Sequence, residues 1–406
     1  MRIAILTQYY LPETGAPQNR LHSLARNIVD AGHEVEVITA MPNYPAMRVF
    51  DGYRRKLSLT EEIEGIRVRR SWIFVSRSAA MLPRLVNYMS FVVTSLLNGL
   101  RMRRYDYVVC ESPPLFLGIS AVLLAWKWRA RLVFNVSDLW PESAEKLGMV
   151  GDGLALRMAY RLEAWLYRKS HLVTGQTQGI VRDIKARFPA VPVTWLPNGV
   201  DGDVLDGVCR DEDWRRKYNL ENRKVFMYAG ILGHAQGLDV VIRAAADYKD
   251  REDIAFVIVG DGPLCDDLQE LARELGAPVT FIPSVPKKKV LSMIADAYAY
   301  IVPLKRLDLF KGAIPSKIFD PLPLGVPILL GVEGEAYDLF IEEGRAGVFF
   351  EPENVAELSA AIGKIINNEP LRDELGQNGK AYVQQHFDRR AIAAEFLQKL
   401  KNRAHE

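Results

Sequence analysis

Short aliphatic and β-branched runs alternate along the chain with longer stretches whose apolar residues recur every three or four positions. This alternation predicts repeated β-α-β units on parallel sheets. Arg2–Gln8 is almost continuously apolar, as a strand buried on both faces should be. A loop over Tyr9–Pro17 follows, then a helix over Asn19–Asp30 with Leu21, Leu24, Ala25 and Ile28 on one face, stopped at Ala31-Gly32-His33. Glu34–Thr39 reads as the second strand. Further strands are expected at Ile66–Ser71, Tyr107–Cys110, Arg131–Val136, Leu172–Gly175 and Val193–Leu196.

The rhythm then restarts, with strands expected at Lys224–Ala229, Ala255–Val259, Val279–Ile282, Ala299–Val302 and Pro327–Leu330. Helical periods separate them, among them Leu238–Tyr248 and Leu264–Leu275. The joint falls at Pro197-Asn198-Gly199-Val200-Asp201, whose turn formers suit a hinge at Asn198 and Gly199. The pattern thus predicts an α/β chain of two Rossmann-like, doubly wound parallel-sheet domains, 1–198 and 199–386. A last helix within 387–406 follows all the strands and is free to cross back to the first domain. Two such domains facing each other would form a cleft at the C-terminal ends of their strands, where α/β ligands bind.

Composition narrows the function. A length of 406 residues suits two domains of roughly 200. Lys and Arg number 52 against 50 Asp and Glu, a net charge of +2 that argues against a protein wrapped in nucleic acid. Cys110, Cys209 and Cys265 are isolated, which fits a reduced, cytoplasmic compartment and disfavours a zinc site. The first residues are too short an apolar run for a signal peptide. Leu85–Leu100, the most apolar stretch, is interrupted by Asn87, Ser90, Thr94, Ser95 and Asn98 and is shorter than the ~20 residues of a membrane span.

Five loops that follow strands could carry chemistry. The first, Pro12-Glu13-Thr14-Gly15-Ala16-Pro17-Gln18-Asn19-Arg20, leads into a helix whose amides would favour an anion; its plain alternative is a tight turn with Gly15 at positive φ. It is not GxGxxG, so a dinucleotide fingerprint is absent. The second, Ser137-Asp138-Leu139-Trp140-Pro141-Glu142-Ser143, offers Asp138 either to the cleft or as a helix cap, with Trp140 able to wall a ring. Glu111 is another carboxylate just past a strand.

In the third loop, Ala229 to Leu238, Gly230 and Gly233 permit close backbone approach to a phosphate and Gly237 opens a helix; His234 either bonds a ligand or is merely solvated. The fourth is Gly260-Asp261-Gly262-Pro263. The fifth gathers Lys305, Lys311 and Lys317 around an expected helix start near Pro315 and Ser316, cations and amides that together suit a diphosphate. Asp320, one helical turn on, could accept hydrogen bonds from a ribose; a solvated basic loop is the plain alternative.

These residues carry a resemblance. The Pro-Glu-Thr-Gly loop, Pro197-Asn198-Gly199-Val200-Asp201, Tyr228-Ala229-Gly230, Val259-Gly260-Asp261-Gly262-Pro263 and Pro315-Ser316-Lys317-Ile318-Phe319-Asp320 occur in the order found in family 4 retaining glycosyltransferases of the GT-B fold. The chain most resembles the bacterial members that build surface polysaccharides with deoxy-aminosugars. It departs from the family at three places. The first of two motif glutamates falls at Gly312 and the second at Asp320, and the cations of the third loop fall near Ile231 and Gln236. Pro321-Leu322-Pro323 replaces the usual helix continuation, so that helix should end early or kink.

The resemblance implies transfer of an N-acetylated deoxy-aminosugar such as N-acetylfucosamine. The donor would be a UDP-sugar and the acceptor a lipid-diphosphate-linked saccharide, with retention, in O-antigen or capsule synthesis. No metal or other cofactor is expected, since no DxD-type pair lies in a cleft loop. Lys311, Lys317 and Asp138 are the expected catalytic residues, the lysines at the leaving diphosphate and Asp138 near sugar and acceptor. Gly15, Gly233, Gly262, Lys305, Ser316 and Asp320 are the expected nucleotide-sugar contacts, with Gly262 near uracil and Asp320 at the ribose. A nucleotide-sugar epimerase of the same architecture and a non-catalytic sugar-binding subunit are the alternatives.

Charge read by region adds one feature. Between Glu64 and Asp106 there is no acidic residue, while Arg67, Arg69, Arg70, Arg77, Arg84, Arg101, Arg103 and Arg104 make the segment +8. It also holds Met81, Leu82, Leu85, Val86, Tyr88, Met89, Phe91, Val92, Val93, Leu96 and Leu97. Apolar residues flanked by arginines suit a surface lying on anionic lipid; a core helix with snorkelling arginines is the alternative. Arg77, Arg84, Arg101, Arg103 and Arg104 are the expected acceptor- and membrane-facing residues, on a protein attached peripherally to the inner face of the membrane.

Overall fold

The computed structural model describes residues 1–403 apart from 46, 79, 147–152, 203–207 and 209–212, so Cys209 lies outside the described residues. The chain divides into two compact units: Met1–Asn198 with the chain from Arg389 onward, and Gly199–Asp388.

In the first unit the described strands are β1 (Arg2–Leu6), β2 (Glu34–Ala40), β3 (Ser58–Ile63), β4 (Ile66–Ser71), β5 (Tyr107–Ser112), β6 (Arg131–Val136), β7 (Leu172–Gly175) and β8 (Val193–Trp195). They form one sheet in the order β3-β4-β2-β1-β5-β6-β7-β8. Every neighbouring pair is parallel except β3 with β4. The helices are α1 (Ala16–Asp30), α2 (Met81–Leu100), α3 (Leu117–Trp128), α4 (Glu142–Lys146), α5 (Leu154–Lys169) and α6 (Gln178–Arg187). β1 shows why the strands read as unbroken apolar runs: Ala4 and Leu6 enter one core, Ile3 and Ile5 the opposite one. The polar hairpin strand β3, SLTEEI, carries no such run and escapes the hydrophobic pattern.

In the second unit the longer described helices are α7 (Asp213–Lys217), α8 (Asp239–Ala246), α9 (Cys265–Leu275), α10 (Lys287–Ala295), α11 (Val355–Ile366) and α12 (Glu369–His386), with a short helical stretch over 335–343. Strands β9 (Lys224–Ala229), β10 (Ile254–Val259), β11 (Val279–Ile282), β12 (Ala299–Pro303), β13 (Ile328–Gly331) and β14 (Gly347–Phe349) form a parallel sheet in the order β11-β10-β9-β12-β13-β14. The helix expected after Pro315 is instead a four-residue 3-10 turn, Ser316–Phe319, followed by another at Leu322–Leu324. Pro321 and Pro323 lack the N–H groups that a continuing α-helix needs.

The last helix, α13 (Arg389–Asn402), belongs to the first unit. Ala393, Phe396, Leu397 and Leu400 are buried beside Ile3, Ile5, Leu21 and Ile28, and the Tyr107 hydroxyl donates to the Leu400 carbonyl at 2.8 Å. The break falls after Asp388 because Phe387 packs on Phe319 and Phe340 in the second unit, at 5.3 and 5.5 Å between ring centroids. Asn198 and Gly199 stand at the other crossing, where the Asn198 side-chain oxygen accepts from Arg389 at 2.9 Å.

The arginine-rich segment is divided by the fold. Arg67 and Arg69 pair with buried Glu36, Arg70 is buried against Glu61 and the Leu11 and Ala40 carbonyls, and Arg103 pairs with Glu34 at 2.7 Å. Four of the eight arginines are therefore engaged, by three carboxylates, which corrects the reading of the whole segment as one basic face. Arg77, Arg84, Arg101 and Arg104 remain exposed, with no carboxylate partner among the described residues.

Helix α2 turns polar or small Asn87, Ser95 and Gly99 inward with Phe91 and Val92, and leaves Leu82, Val86, Met89, Val93 and Leu97 exposed. On the same side of the sheet, α3 exposes Leu123 and Trp126, the latter 81% accessible, and α5 exposes Leu154, Met158 and Trp165. No described helix is long and apolar enough to cross a membrane.

The return of α13 generates a stability prediction. Phe396→Ala should destabilise the first unit by about 3–5 kcal/mol, the cost of emptying a buried phenylalanine site. The thermal transition of the second unit should be unmoved, as followed by calorimetry.

Candidate functional site

In the second unit the polar chemistry gathers where β9, β10 and β12 end, as expected for the C-terminal edge of a parallel sheet. Two glycine turns meet there backbone to backbone. Gly230 and Gly260 have φ of +147° and +145°, and a Cβ on Gly260 would lie within 2.9 Å of the Gly230 carbonyl carbon. Gly262 is confined in the same way, its Cβ position lying 2.7 Å from the Leu232 carbonyl carbon. Its glycine is thus required by the packing of one turn on another.

Lys317 reaches this turn from the 3-10 segment. Its ammonium bonds to the Tyr228 hydroxyl and lies 4.3 Å from the centre of the Tyr228 ring. The same hydroxyl donates to the Ile231 carbonyl at 2.7 Å. A Cβ on Gly230 would strike the Lys317 side chain, with Nζ only 2.9 Å away. No carboxylate forms an ion pair with Lys317 among the described residues, and loss of hydration lowers its pKa to about 7 against the opposing pull of Asp320.

The other expected residues are placed differently. Lys311 is exposed and paired with Asp308 at 2.8 Å and Glu333 at 4.0 Å, which raises its pKa. Asp320 pairs with Lys287, a lysine that the loop pattern does not single out. Lys305 is half-buried; its N–H donates to the Ala235 carbonyl at 3.0 Å, beside Gly237, which has φ +58°. Gly233 is extended and precedes a 3-10 turn, His234–Gln236, while Ser316 begins the short turn described above. The helix expected after Gly237 is present as α8, whereas the Ser316 turn does not supply the helix dipole expected near Pro315. Lys317, Tyr228 and the two glycine turns are together; Lys311 stands outside that group, with its charge already met.

The first unit holds a buried polar network at the ends of β5, β6 and β7. Arg20, from α1, pairs with Glu111 at 2.5 Å, both almost fully buried. The same guanidinium donates to the Ser137 hydroxyl at 2.9 Å, Asn135 donates to Glu111 at 2.6 Å, and Thr174 donates to Asn135 at 2.6 Å. Asn135 and Thr174 are polar interruptions in buried strands, the one signal in the sequence from which this network is readable. Gly15 is extended at φ 170° and precedes α1, so the positive φ considered for it is not adopted. Glu13, in the same loop, accepts from the backbone N–H groups of Tyr10, Asn43 and Tyr44, while burial pushes its pKa up.

Asp138 is exposed as a residue, but its carboxylate folds back to accept from the Ser143 hydroxyl at 2.5 Å. Local desolvation raises its pKa against that bond. Arg77 lines a shallow groove of about 480 Å³ with Arg48, Trp72 and Phe74. Arg84, Arg101, Arg103 and Arg104 lie on α2 or just beyond it. Among the described residues no three His, Cys, Asp or Glu side chains converge to hold a metal ion.

Two α/β domains, each built on a mainly parallel sheet and the second with glycine turns at its strand ends, have the architecture of the GT-B glycosyltransferases, and comparison with known proteins agrees. The family description "Glycosyl transferase 4-like domain" matches residues 15–199 and "Glycosyl transferases group 1" matches residues 210–382. The chain belongs to this glycosyltransferase family, which sets aside the epimerase. It is 26% identical over 413 residues to "Putative colanic acid biosynthesis glycosyl transferase WcaI" of Escherichia coli K12, covering 99% of this chain and 100% of WcaI. It is 25% identical over 238 residues to a GDP-mannose-dependent alpha-(1-6)-phosphatidylinositol monomannoside mannosyltransferase of Mycolicibacterium smegmatis, covering 55% of this chain and 61% of that protein. Among solved structures it shares the fold of Anabaena HepE in complex with UDP and glucose, with a TM-score of 0.74, 19% identity, and 99% and 100% of the two chains covered.

The buried pair yields a test of the first unit. Glu111→Ala strands the Arg20 charge and should cost about 3–5 kcal/mol in urea unfolding. Arg20→Met with Glu111→Leu should cost less than the two single changes summed.

Proposed function

We propose that this glycosyltransferase moves a sugar, an N-acetylated deoxy-aminosugar such as N-acetylfucosamine, from a UDP-sugar to a lipid-diphosphate-linked saccharide with retention of configuration, in O-antigen or capsule synthesis. The observation that carries the donor half is Lys317: a desolvated cation with no carboxylate in ion-pair contact among the described residues, laid against a glycine turn at a strand end. A diphosphate is the ligand that such a cation lacks. UDP is favoured by the fold shared with a UDP-bound protein, and GDP is the competing nucleotide given the mannosyltransferase relative. In the reaction the bond from the anomeric carbon to the leaving phosphate oxygen breaks as the acceptor oxygen bonds on the same face. The acceptor proton passes to the departing phosphate. Lys317 stabilises that phosphate, Lys305 is a second cation for it, and Asp320 holds the ribose. Asp138 and Gly15 serve the sugar and acceptor, Gly233 and Ser316 line the nucleotide, and Asn198 and Gly199 act as the hinge.

Lys317→Ala should lower kcat by about 10²–10³, whereas Lys311→Ala should change it by only a few-fold, because Lys311 is exposed and already paired. Radiolabelled transfer from a panel of UDP- and GDP-sugars to a short lipid-diphosphate saccharide measures both. EDTA should leave the rate unchanged; a rate that vanishes and returns with a divalent cation would show that a metal carries the phosphate charge.

The acceptor half rests on the outer face of α2, α3 and α5, where exposed Leu82, Val93, Leu97, Trp126 and Met158 lie among cations such as Arg84, Arg101 and Lys127. An amphipathic face of this kind suits an anionic membrane surface that carries the lipid acceptor. The protein should float with vesicles containing anionic lipid at low salt. Trp126→Ser together with Val93→Ser should abolish flotation while leaving hydrolysis of the donor in solution unchanged.

A further inference from the structure

The third loop carries no Lys or Arg at Ile231 or Gln236, and the cation that lies against its first turn is Lys317. Tyr228 lies at the end of β9 with its hydroxyl donating to the Ile231 carbonyl, so a lone pair of that hydroxyl is left to accept from Lys317. The ring offers its face to the same ammonium at 4.3 Å. Gly230 leaves the space in which the lysine stem lies. One tyrosine therefore pins the loop and the lysine together. Resting on the reading of these turns as the donor site, we propose that Tyr228 is a positioning residue that holds Lys317 against the Gly230 turn, where the donor diphosphate becomes its ionic partner.

Among the described residues, few titratable groups lie near Lys317. Tyr228 comes from β9, Asp320 follows the 3-10 segment and is engaged by Lys287 from α10, and Tyr300 on β12 bonds the Ala229 backbone. Burial pushes both tyrosine hydroxyls far up, so they stay neutral across the working range. Lys317 is thus the group that changes charge there. With the site empty its pKa is about 7, and a diphosphate beside it must raise that value. Above neutrality, nucleotide binding then takes up a proton, and affinity falls as pH rises.

Calorimetry of the full chain with UDP, and separately with GDP, in buffers of different ionisation enthalpy tests this. Measurements above about pH 7.5 avoid the phosphate's own second ionisation near 6. Uptake should approach one proton per nucleotide, and Kd should weaken by up to about tenfold per pH unit. Lys317→Arg keeps its charge at all these pH values, so it should bind with no uptake and a flat pH profile. Tyr228→Phe keeps the ring and loses the hydroxyl; Kd should weaken by about three- to tenfold, with the thermal transition retained. Nucleotide binding without proton uptake in the unaltered protein, or Tyr228→Phe binding as tightly as the original, would overturn the proposal while leaving the donor site standing. Failure of both nucleotides to bind at any pH would overturn the donor reading itself.

Discussion

A charge taken out of water must be given a partner, and the two units meet this constraint in opposite ways. Glu111 is held by Arg20 and surrounded by the donors of Asn135 and Ser137, so the first unit closes its buried charge internally. Among the described residues Lys317 is held by an aromatic face and a hydroxyl, with no carboxylate in ion-pair contact. The network in the first unit is a finished structure. The arrangement in the second leaves a buried lysine without a carboxylate in ion-pair contact among the described residues, and the proposed donor site follows from it.

The glycine turns make this arrangement possible. Gly230 and Gly260 pack backbone against backbone at the ends of adjacent strands, leaving the lysine a groove that any side chain at 230 would fill. Buried strands β9, β10 and β12 fix those ends, and the short proline-broken segment after β12 brings Lys317 across. Loss of the helix expected after Pro315 is thus compatible with the site, because the lysine's position depends on Tyr228 and not on a helix terminus.

Most of the sheet was legible because parallel strands covered on both faces write themselves as continuous apolar runs. Arg131–Val136, Leu172–Gly175 and Lys224–Ala229 have the limits that their residues suggest. β3 was not legible, since a polar edge strand has no such run. The lysine cluster was legible as charge, but not as geometry: Lys305, Lys311 and Lys317 look alike in sequence, and only the positions of Asp308 and Tyr228 separate a solvated pair from a desolvated cation. The basic segment misled for a related reason. Its partners Glu34, Glu36 and Glu61 precede it in the chain, where local counting does not see them.

The return of α13 has a bearing on how the chain is made. Ile3, Ile5 and Leu21 emerge from the ribosome early, yet the residues that cover them, Phe396, Leu397 and Leu400, come after the entire second unit has been synthesised. The second unit has all its strands before the first has its last helix. The domain begun first is therefore completed last, and one face of its core must wait, open to water or to a chaperone, while nearly two hundred intervening residues are translated.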